Sequence, residues 1–133
     1  MSPNPNSNSR PVLFVDDSAL ARVAVTRRLV ALGIEIKIEI EIEIVTLSSA
    51  AEAASADGAA FSAALLDIEL GDGFGTDVAR RLREAAPGLP IAFFTAGGPA
   101  EILEAAEQIG PVFSKASELD DAVRWLIEAT GRG

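Results

Sequence analysis

Four short and largely apolar segments, each followed directly by a polar or charged residue, constrain the fold of this chain most. They span residues 12–15, 63–66, 91–94 and 112–114. Such runs are typical of strands in a parallel sheet that is covered on both faces. Because open α/β sheets bind ligands beyond the carboxyl ends of their strands, the sequence predicts one shared site at that edge. The side chains expected to meet there are Asp16, Asp17, Asp67, Thr95 and Lys115.

Helical patterns separate these segments. The predicted fold class is therefore α/β, with a doubly wound five-stranded parallel sheet flanked by five helices. The first helix is predicted over residues 19–32, with Ser18 as its N-cap and Gly33 closing it. A short Ala-rich helix begins at the capping-box pair Ser49 and Glu52. The other helices are predicted over residues 76–86, from the turn at 97–99 to 109, and from after Ser117 to about 130.

Residues 34–44 have the sequence IEIKIEIEIEI, in which Ile alternates with Glu or Lys. On a helix this alternation would scatter the Ile side chains around the axis, whereas on a strand it places all of them on one face. Continued to Leu47, such a strand would be ~46 Å long at ~3.3 Å per residue. Most strands have only ~5–6 residues. The sequence therefore predicts an unusually elongated second strand.

The composition excludes several kinds of chemistry. The 133 residues include no Cys and no His, so disulfides, thiolate ligands, imidazole bases and His-ligated zinc are excluded. The net charge of −9 argues against nucleic-acid binding, and the arginines on the predicted helices are interpreted as solvated. No segment resembles a signal peptide or a membrane span, so we expect a cytoplasmic protein. Residues 1–10 are predicted as a disordered leader, 11–130 as one domain and 131–133 as a tail.

The predicted site brings three carboxylates together. Two unit charges ~4 Å apart repel each other by ~4 kcal/mol at an effective dielectric constant of ~20, so Asp16, Asp17 and Asp67 need a cation nearby. An all-oxygen set of ligands favours Mg²⁺ or Mn²⁺ over zinc. Lys115 adds one positive charge and Thr95 a hydroxyl group. Such a site can hold a phosphoryl group, and a carboxylate such as Asp67 can act as its nucleophile.

These motifs resemble those of the receiver domains of bacterial two-component response regulators. The matching segments are FVDDS, LLDIELGDGFG, FFTAG and FSK, which follow one another in the family's order and spacing. The resemblance covers residues 11–129. It implies a flavodoxin-like sheet with strand order 2-1-3-4-5, in which the second strand lies at an edge.

The resemblance also assigns roles to the site residues. Asp67 corresponds to the residue that accepts the phosphoryl group, and Asp17 to a direct metal ligand, with Asp16 acting through water. Glu69 would offer its backbone carbonyl to the metal. Thr95 would be the switch hydroxyl and Lys115 the ammonium that pairs with the phosphoryl group. Gly75 fits the glycine that the family places eight residues after its phosphorylated Asp.

Four positions differ from the family pattern. Ala116 replaces the Pro that usually follows the Lys, and Val112 stands where an aromatic switch residue is usual. Gly71 replaces a common Pro, and Phe74 stands where an acidic residue is frequent. The first two differences concern the switch, whereas the last two leave the chemistry unchanged.

The Ile/Glu repeat suggests association. Residues 36–43 look like an insertion, either natural or engineered, because residues 33–35 could join Ile44 directly. An amphipathic edge strand is a template for pairing with another copy, so we expect an antiparallel dimer or larger β assembly through residues 34–44. Glu would face Glu there, and low pH or high salt should strengthen the assembly. A projecting strand or loop without a partner is the alternative.

The expected function is that of a stand-alone phospho-accepting module rather than an enzyme. It would take a phosphoryl group from a histidine kinase or phosphotransfer protein onto Asp67, with Mg²⁺ or Mn²⁺, and change a surface that binds a downstream protein. One alternative is a phosphorylation-independent scaffold or self-assembling module of the same fold. Another is a phosphatase-type hydrolase, with Glu69 as the second acid.

Overall fold

A parallel five-stranded sheet forms the centre of the protein, which a computed structural model describes over residues 10–38 and 41–131. The strand order is β2-β1-β3-β4-β5, and every neighbouring pair is parallel. This arrangement confirms the predicted fold class. The strands are β1 (Val12–Val15), β2 (Ile44–Leu47), β3 (Ala63–Leu66), β4 (Ile91–Thr95) and β5 (Val112–Ser114).

Five α-helices connect the strands, at positions close to those predicted. One 3₁₀ turn, Gly58–Ala60, was not predicted and precedes β3. The helices are α1 (Ala19–Glu35), α2 (Ala50–Ala53), α3 (Gly75–Ala85), α4 (Ala100–Ile109) and α5 (Leu119–Ala129).

Hydrophobic cores cover both faces of the sheet. Alternate residues of β1 point to opposite sides, so that Leu13 and Val15 join the core under α2, α3 and α4, while Val12 and Phe14 join the core under α1 and α5. All residues of β1 and β3 are fully buried. Burial on both faces explains why these strands are apolar without alternation.

The helix caps agree only in part with the predictions. Ser18 caps α1, since its Oγ accepts a hydrogen bond from the Ala21 N–H at 3.1 Å. Ser49 caps α2 by accepting from the Glu52 N–H at 3.0 Å. Helix α5 begins at Leu119, after Ser117 as predicted, but it has no side-chain cap. The Glu118 carboxylate accepts from the Ser114 N–H instead.

Helix α1 does not end at Gly33 as predicted but continues to Glu35. The left-handed residue that ends it is Lys37, with a φ of 61°. The Ile38 N–H donates to the Gly33 carbonyl at 2.9 Å, and the Lys37 N–H donates to the Ile34 carbonyl at 3.1 Å. These two bonds form a Schellman motif in which a lysine occupies the position usually taken by glycine.

The prediction of an elongated second strand is wrong. The repeat begins as the last turn of α1, the described residues before Ile44 form no strand, and residues 39–40 lie outside the described part. Strand β2 is short because its neighbour β1 offers only four residues for pairing. Val12 pairs with Ile44, its N–H donates to the Glu43 carbonyl, and Pro11 before it has no N–H to extend the ladder.

The Ile side chains of the repeat therefore do not share one face. Ile38, Ile42 and Ile44 pack against the core under α1 and α5, whereas Ile34 and Ile36 are exposed. The predicted β assembly depends on a strand over residues 34–44, and the structure removes that strand.

The chain ends are described only in part. Residues 1–9 and 132–133, which include most of the predicted leader and tail, lie outside the described residues. Arg10 is described, and its guanidinium donates to the Ala59 carbonyl at 3.0 Å. Within the described residues, none of the helices has the length and apolar character needed to cross a membrane.

The end of α1 can be tested with two substitutions. Gly33→Ala should raise the free energy of unfolding by ~0.5–1 kcal/mol, because Gly33 is helical and a Cβ there meets nothing within 4 Å. Lys37→Gly should also stabilise the protein, since glycine adopts positive φ without steric cost. Urea unfolding measures both changes. A helix that ended at Gly33 in the left-handed conformation would give the opposite sign for Gly33→Ala.

Candidate functional site

Three of the predicted site residues lie directly beyond strand ends, where the backbone N–H of each adds one more hydrogen bond to the neighbouring strand. The Asp16 N–H donates to the Leu47 carbonyl at 3.0 Å, and the Asp67 N–H donates to the Val15 carbonyl at 2.8 Å. The Lys115 N–H donates to the Thr95 carbonyl at 2.9 Å. The sheet itself therefore brings these side chains to one edge, as the sequence predicted.

An ion-paired cluster occupies this edge. The Lys115 ammonium lies 2.8 Å from Asp16 Oδ2 and 3.1 Å from Asp67 Oδ2. Asp16 is completely buried and Asp67 is only 5% exposed. Backbone N–H groups hold the other carboxylate oxygens, since Asp16 Oδ1 accepts from Ser18 and Asp67 Oδ1 accepts from Ile68. The carboxylates are thus fixed in orientation.

The cluster shifts the pKa values of its members. Burial raises the pKa of Asp67, and the negative charge of Asp16 raises it further, while Lys115 opposes both effects. Burial alone would lower the pKa of Lys115, but its contacts with Asp16 and Asp67 outweigh this and raise it. Lys115 therefore remains a cation, and it offsets only part of the repulsion between the two acids.

The acidic residues fit a divalent metal ion. Asp16, Asp17 and Asp67 can each offer a carboxylate oxygen, and these oxygens all lie within 4.8 Å of one another. Asp16 Oδ2 is buried, and among the described residues its polar partner is the Lys115 ammonium, with which it forms an ion pair rather than a further hydrogen bond. Asp17 is exposed, which leaves one side of the set open. An oxygen-only set of this kind suits Mg²⁺ or Mn²⁺.

An open cleft of about 310 Å³ lies beside Asp67. The Thr95 hydroxyl donates to the Gly97 carbonyl at 2.8 Å and accepts from the Gly97 N–H at 3.2 Å. Thr95 therefore stands at the cleft with its hydroxyl already engaged by the loop that follows β4. The cleft is lined by Asp67, Glu69, Thr95, Ala96, Gly97 and Gly98.

Glu69 is exposed at the cleft, and its backbone pairs with Phe74 in an isolated antiparallel bridge. The bridge closes a tight loop in which Gly71 has a φ of 85°. A non-glycine residue would be strained at that angle. The glycine that replaces the family's common Pro thus has a local structural reason.

Gly75 is required by a close approach of backbone to backbone. Its N–H donates to the Ile68 carbonyl at 2.7 Å, and a Cβ on it would overlap the Asp67 carbonyl. The first turn of α3 is therefore packed directly onto the main chain of Asp67. The family resemblance pointed to this glycine, and the structure supplies the steric reason.

Sequence reasoning missed two residues that support the site. Arg22, interpreted from the sequence as solvated, donates through its guanidinium to the Asp16 carbonyl at 2.7 Å. Asp72 accepts from the N–H groups of Ala50 and Ala51, and these bonds lower the pKa of the Asp72 carboxyl. The Asp72 bonds join residues that are 22 and 21 positions apart, and the Arg22 bond reaches back six positions to the loop after β1. Neither contact could be predicted from a local sequence pattern.

The loop after Lys115 is held without the family's usual proline. The Ser114 N–H donates to the Glu118 carboxylate at 2.7 Å, and the Ala116 N–H donates to Ser114 Oγ at 3.1 Å. Val112, which stands at the aromatic switch position, is half-buried against the core under α2, α3 and α4. Trp125 packs as a half-buried side chain against the core under α1 and α5.

Solved structures with the same architecture decide the fold family. A CheY-like response regulator receiver domain from Methanospirillum hungatei matches 92% of this chain and 94% of its own, with a TM-score of 0.70 and 20% identity. This chain has the receiver-domain fold. The signal receiver domain of the putative response regulator NarL from Mycobacterium tuberculosis gives a TM-score of 0.69 and 24% identity, covering 91% of this chain and 95% of its own.

A third receiver fold, the BeF₃-activated DrrB receiver domain, gives a TM-score of 0.71 and 17% identity over 92% of this chain and 97% of its own. No family model matches the chain, and no curated protein sequence matches it. At these identities the likeness concerns the fold.

The contact between Gly75 and Asp67 generates a prediction. Gly75→Ala should lower the free energy of unfolding by ~1–3 kcal/mol, the usual cost of overpacking, because the added Cβ must push α3 away from Asp67. Gly88→Ala is the matched control, since a Cβ at Gly88 meets nothing within 4 Å. Urea unfolding of both variants checks this. Equal stability of the two variants would contradict the packing described.

Proposed function

We propose that this chain is a phospho-accepting receiver module that takes a phosphoryl group onto Asp67. The observation that carries the proposal is the Lys115 ammonium between the Asp16 and Asp67 carboxylates, at an edge where Asp17 adds a third acid. The open cleft beside Asp67 supports it as well, because a donor can reach the carboxylate there. The receiver fold of the structural neighbours points in the same direction.

The transfer follows from the chemistry of these residues. A carboxylate oxygen of Asp67 attacks the phosphorus of a partner's phosphohistidine, the new O–P bond forms, and the P–N bond breaks. The imidazole leaves with the bonding electron pair and gains a proton from water. A divalent cation held by Asp16, Asp17, Asp67 and the Glu69 carbonyl would neutralise charge on the phosphoryl oxygens.

After the transfer, Lys115 can pair with the phosphoryl group. Its ammonium, shared between Asp16 and Asp67 in the present arrangement, can exchange its bond to the Asp67 carboxylate for one to the phosphoryl oxygens. Thr95 can exchange its bond to the Gly97 carbonyl for one to a phosphoryl oxygen. That exchange would release the β4–α4 loop, which is the change of surface that a downstream protein could read.

In this proposal the chain is not an enzyme with a small-molecule substrate, because the reaction happens on its own side chain. Water attack on the phosphorus of phospho-Asp67 returns the carboxylate and releases inorganic phosphate. The partners are a histidine kinase or phosphotransfer protein and a downstream protein target, in the cytoplasm.

Beryllofluoride, which imitates a phosphoryl group on a carboxylate, tests the proposal directly. The full chain with Mg²⁺ should bind beryllofluoride and be labelled by acetyl phosphate, whereas Asp67→Asn should abolish both, since the amide offers no nucleophilic oxygen. Isothermal titration and mass spectrometry measure the two effects. Asp77→Asn, at an exposed position of α3, is the control and should behave like the unchanged chain. Absence of both signals in the unchanged chain would refute the proposal.

The shared Lys115 ammonium allows a second test, because its removal should change the affinities for beryllofluoride and for Mg²⁺ in opposite directions. Lys115→Met should weaken beryllofluoride binding at least ~tenfold, since a charge-assisted hydrogen bond is lost. The same change should strengthen Mg²⁺ binding, because it removes a cation from the acidic set. Lys37→Met changes the only other lysine and should alter neither affinity. Parallel losses for both ligands would indicate general disruption rather than the proposed role.

A further inference from the structure

Helix α2 has only four residues, and the side chains that hold its N-terminus come from two distant places in the chain. Ser49 Oγ accepts from the Glu52 N–H at 3.0 Å. The Asp72 carboxylate accepts from the Ala50 N–H at 2.8 Å and from the Ala51 N–H at 3.0 Å. A helix this short is marginal on its own. Ser49 and Asp72 together give each of its first three N–H groups a partner.

Asp72 belongs to the loop between β3 and α3, which follows the acidic edge. The Leu70 N–H donates to the Gly73 carbonyl at 2.9 Å, so the loop is closed at its base. This bond shapes the loop, but it does not determine where the tip, residues 71–73, lies relative to neighbouring elements. The two bonds of Asp72 do so, because they join the tip to a helix whose Ala53 is buried in the core.

The contact between the loop tip and α2 is close as well as polar. A Cβ on Gly73 would lie 3.0 Å from the Ala50 Cβ, so the main chain of the tip packs directly onto the first turn of α2. The two N–H bonds lower the pKa of the Asp72 carboxyl, which is therefore ionised at neutral pH. Hydrogen bonds to an ionised acceptor are stronger than those between neutral groups. Asp72 is thus a firm attachment of the tip to α2.

The same loop tip lies beside the Asp17 carboxylate. Gly71 has a φ of 85°, and a Cβ on it would stand 3.5 Å from Asp17 Oδ2. Asp16 and Asp67 are buried and held by backbone N–H groups and by Lys115, whereas Asp17 is exposed. The position of the tip therefore decides how much room the Asp17 carboxylate has on that side.

We propose that Asp72 is a positioning residue for the divalent cation of the acidic edge and acts through the loop without touching the ion. By attaching the tip to α2, it keeps the Asp17 carboxylate and the Glu69 carbonyl, which belongs to the same loop, at the spacing that one cation requires. This inference rests on the proposed function, in which both groups bind the metal. Residues that orient metal ligands commonly change metal affinity by ~10–100-fold when they are replaced.

Removal of the Asp72 carboxylate tests this role. Asp72→Ala should lower the Mg²⁺ affinity of the full chain ~tenfold, because the loop tip loses both bonds to α2. Asp57→Ala is the matched control and should leave the affinity unchanged. Asp57 is also exposed and accepts from the Ala59 N–H at 3.0 Å, but it caps the 3₁₀ turn before β3, at the opposite edge of the sheet. Isothermal titration measures the affinities, and urea unfolding verifies that both variants are folded. Equal Mg²⁺ affinity of Asp72→Ala and the unchanged chain would overturn the proposal.

A second variant removes the contact without changing the charge near the ion. Ala50→Pro deletes the N–H that donates to Asp72, and proline suits the first position of a helix. Ser49 before it is already extended, with φ −154° and ψ 161°, which suits a residue that precedes proline. Ala50→Pro should therefore also lower the Mg²⁺ affinity, and it should have no further effect in Asp72→Ala, where the contact is already lost. An unchanged affinity in Ala50→Pro, or losses that add in the double variant, would show that Asp72 acts by its charge alone and would refute the positioning role.

These measurements separate a failure of this inference from a failure of the proposed function. If the unchanged chain binds Mg²⁺ but neither binds beryllofluoride nor reacts with acetyl phosphate, the phospho-accepting function is refuted, and the Mg²⁺ affinities of the variants still decide the role of Asp72. If the unchanged chain shows all three signals and Asp72→Ala retains its Mg²⁺ affinity, only the role of Asp72 is refuted. An unchanged chain that binds no Mg²⁺ would refute both.

Discussion

Two acidic side chains at one edge of the sheet share a single ammonium group, and the arrangement of the rest of the site depends on this. Asp16 and Asp67 have almost no contact with solvent, so an unpaired charge on either would cost several kcal/mol. Lys115 contacts both at once. Because it offsets only one of two negative charges, the edge retains a net attraction for a further cation. The same charges thus hold this edge together and define its proposed metal site.

The sheet explains why a lysine has this role. Asp16 and Asp67 follow the neighbouring strands β1 and β3, whereas Lys115 follows β5, which is separated from β3 by β4. Neighbouring strands are ~4.8 Å apart, so the ammonium must bridge much of the ~10 Å from β5 to β3 and of the ~14 Å from β5 to β1. Only a long and flexible cation can do so. At the end of β4, the Thr95 carbonyl accepts a hydrogen bond from the Lys115 backbone N–H and so fixes where the lysine side chain starts.

The parts of the fold that the sequence predicted well are those decided by burial. Strands β1 and β3 lie between two layers of helices, and no polar residue is tolerated within them, so their limits are visible as the limits of apolar runs. The residues that follow, Asp16 and Asp67, were identified for the same reason. Their convergence followed from the parallel order of the strands.

The predictions that failed concern places where a local pattern competes with long-range contacts. The Ile/Glu alternation favours a strand, but β1 offers pairing for only four residues, and Ile38 and Ile42 are half-buried beside α1 instead. Gly33 resembles a helix end, yet the helix continues past it to a Schellman motif at Lys37. Lys37 rather than Gly33 adopts the left-handed conformation, although glycine has the stronger intrinsic preference for it.

Helix α1 is fixed both to the acidic site and to α5. At its N-terminal end, Arg22 holds the Asp16 carbonyl and the Ser18 N–H holds the Asp16 carboxylate. In its middle, Arg28 forms a two-bond pair with Asp120 of α5. Helix α1 cannot shift as a unit without breaking one of these contacts. A change at Asp67 can therefore reach α1 by two routes, through the Asp16 loop or through α5, which contacts β3 and β5 as well as α1.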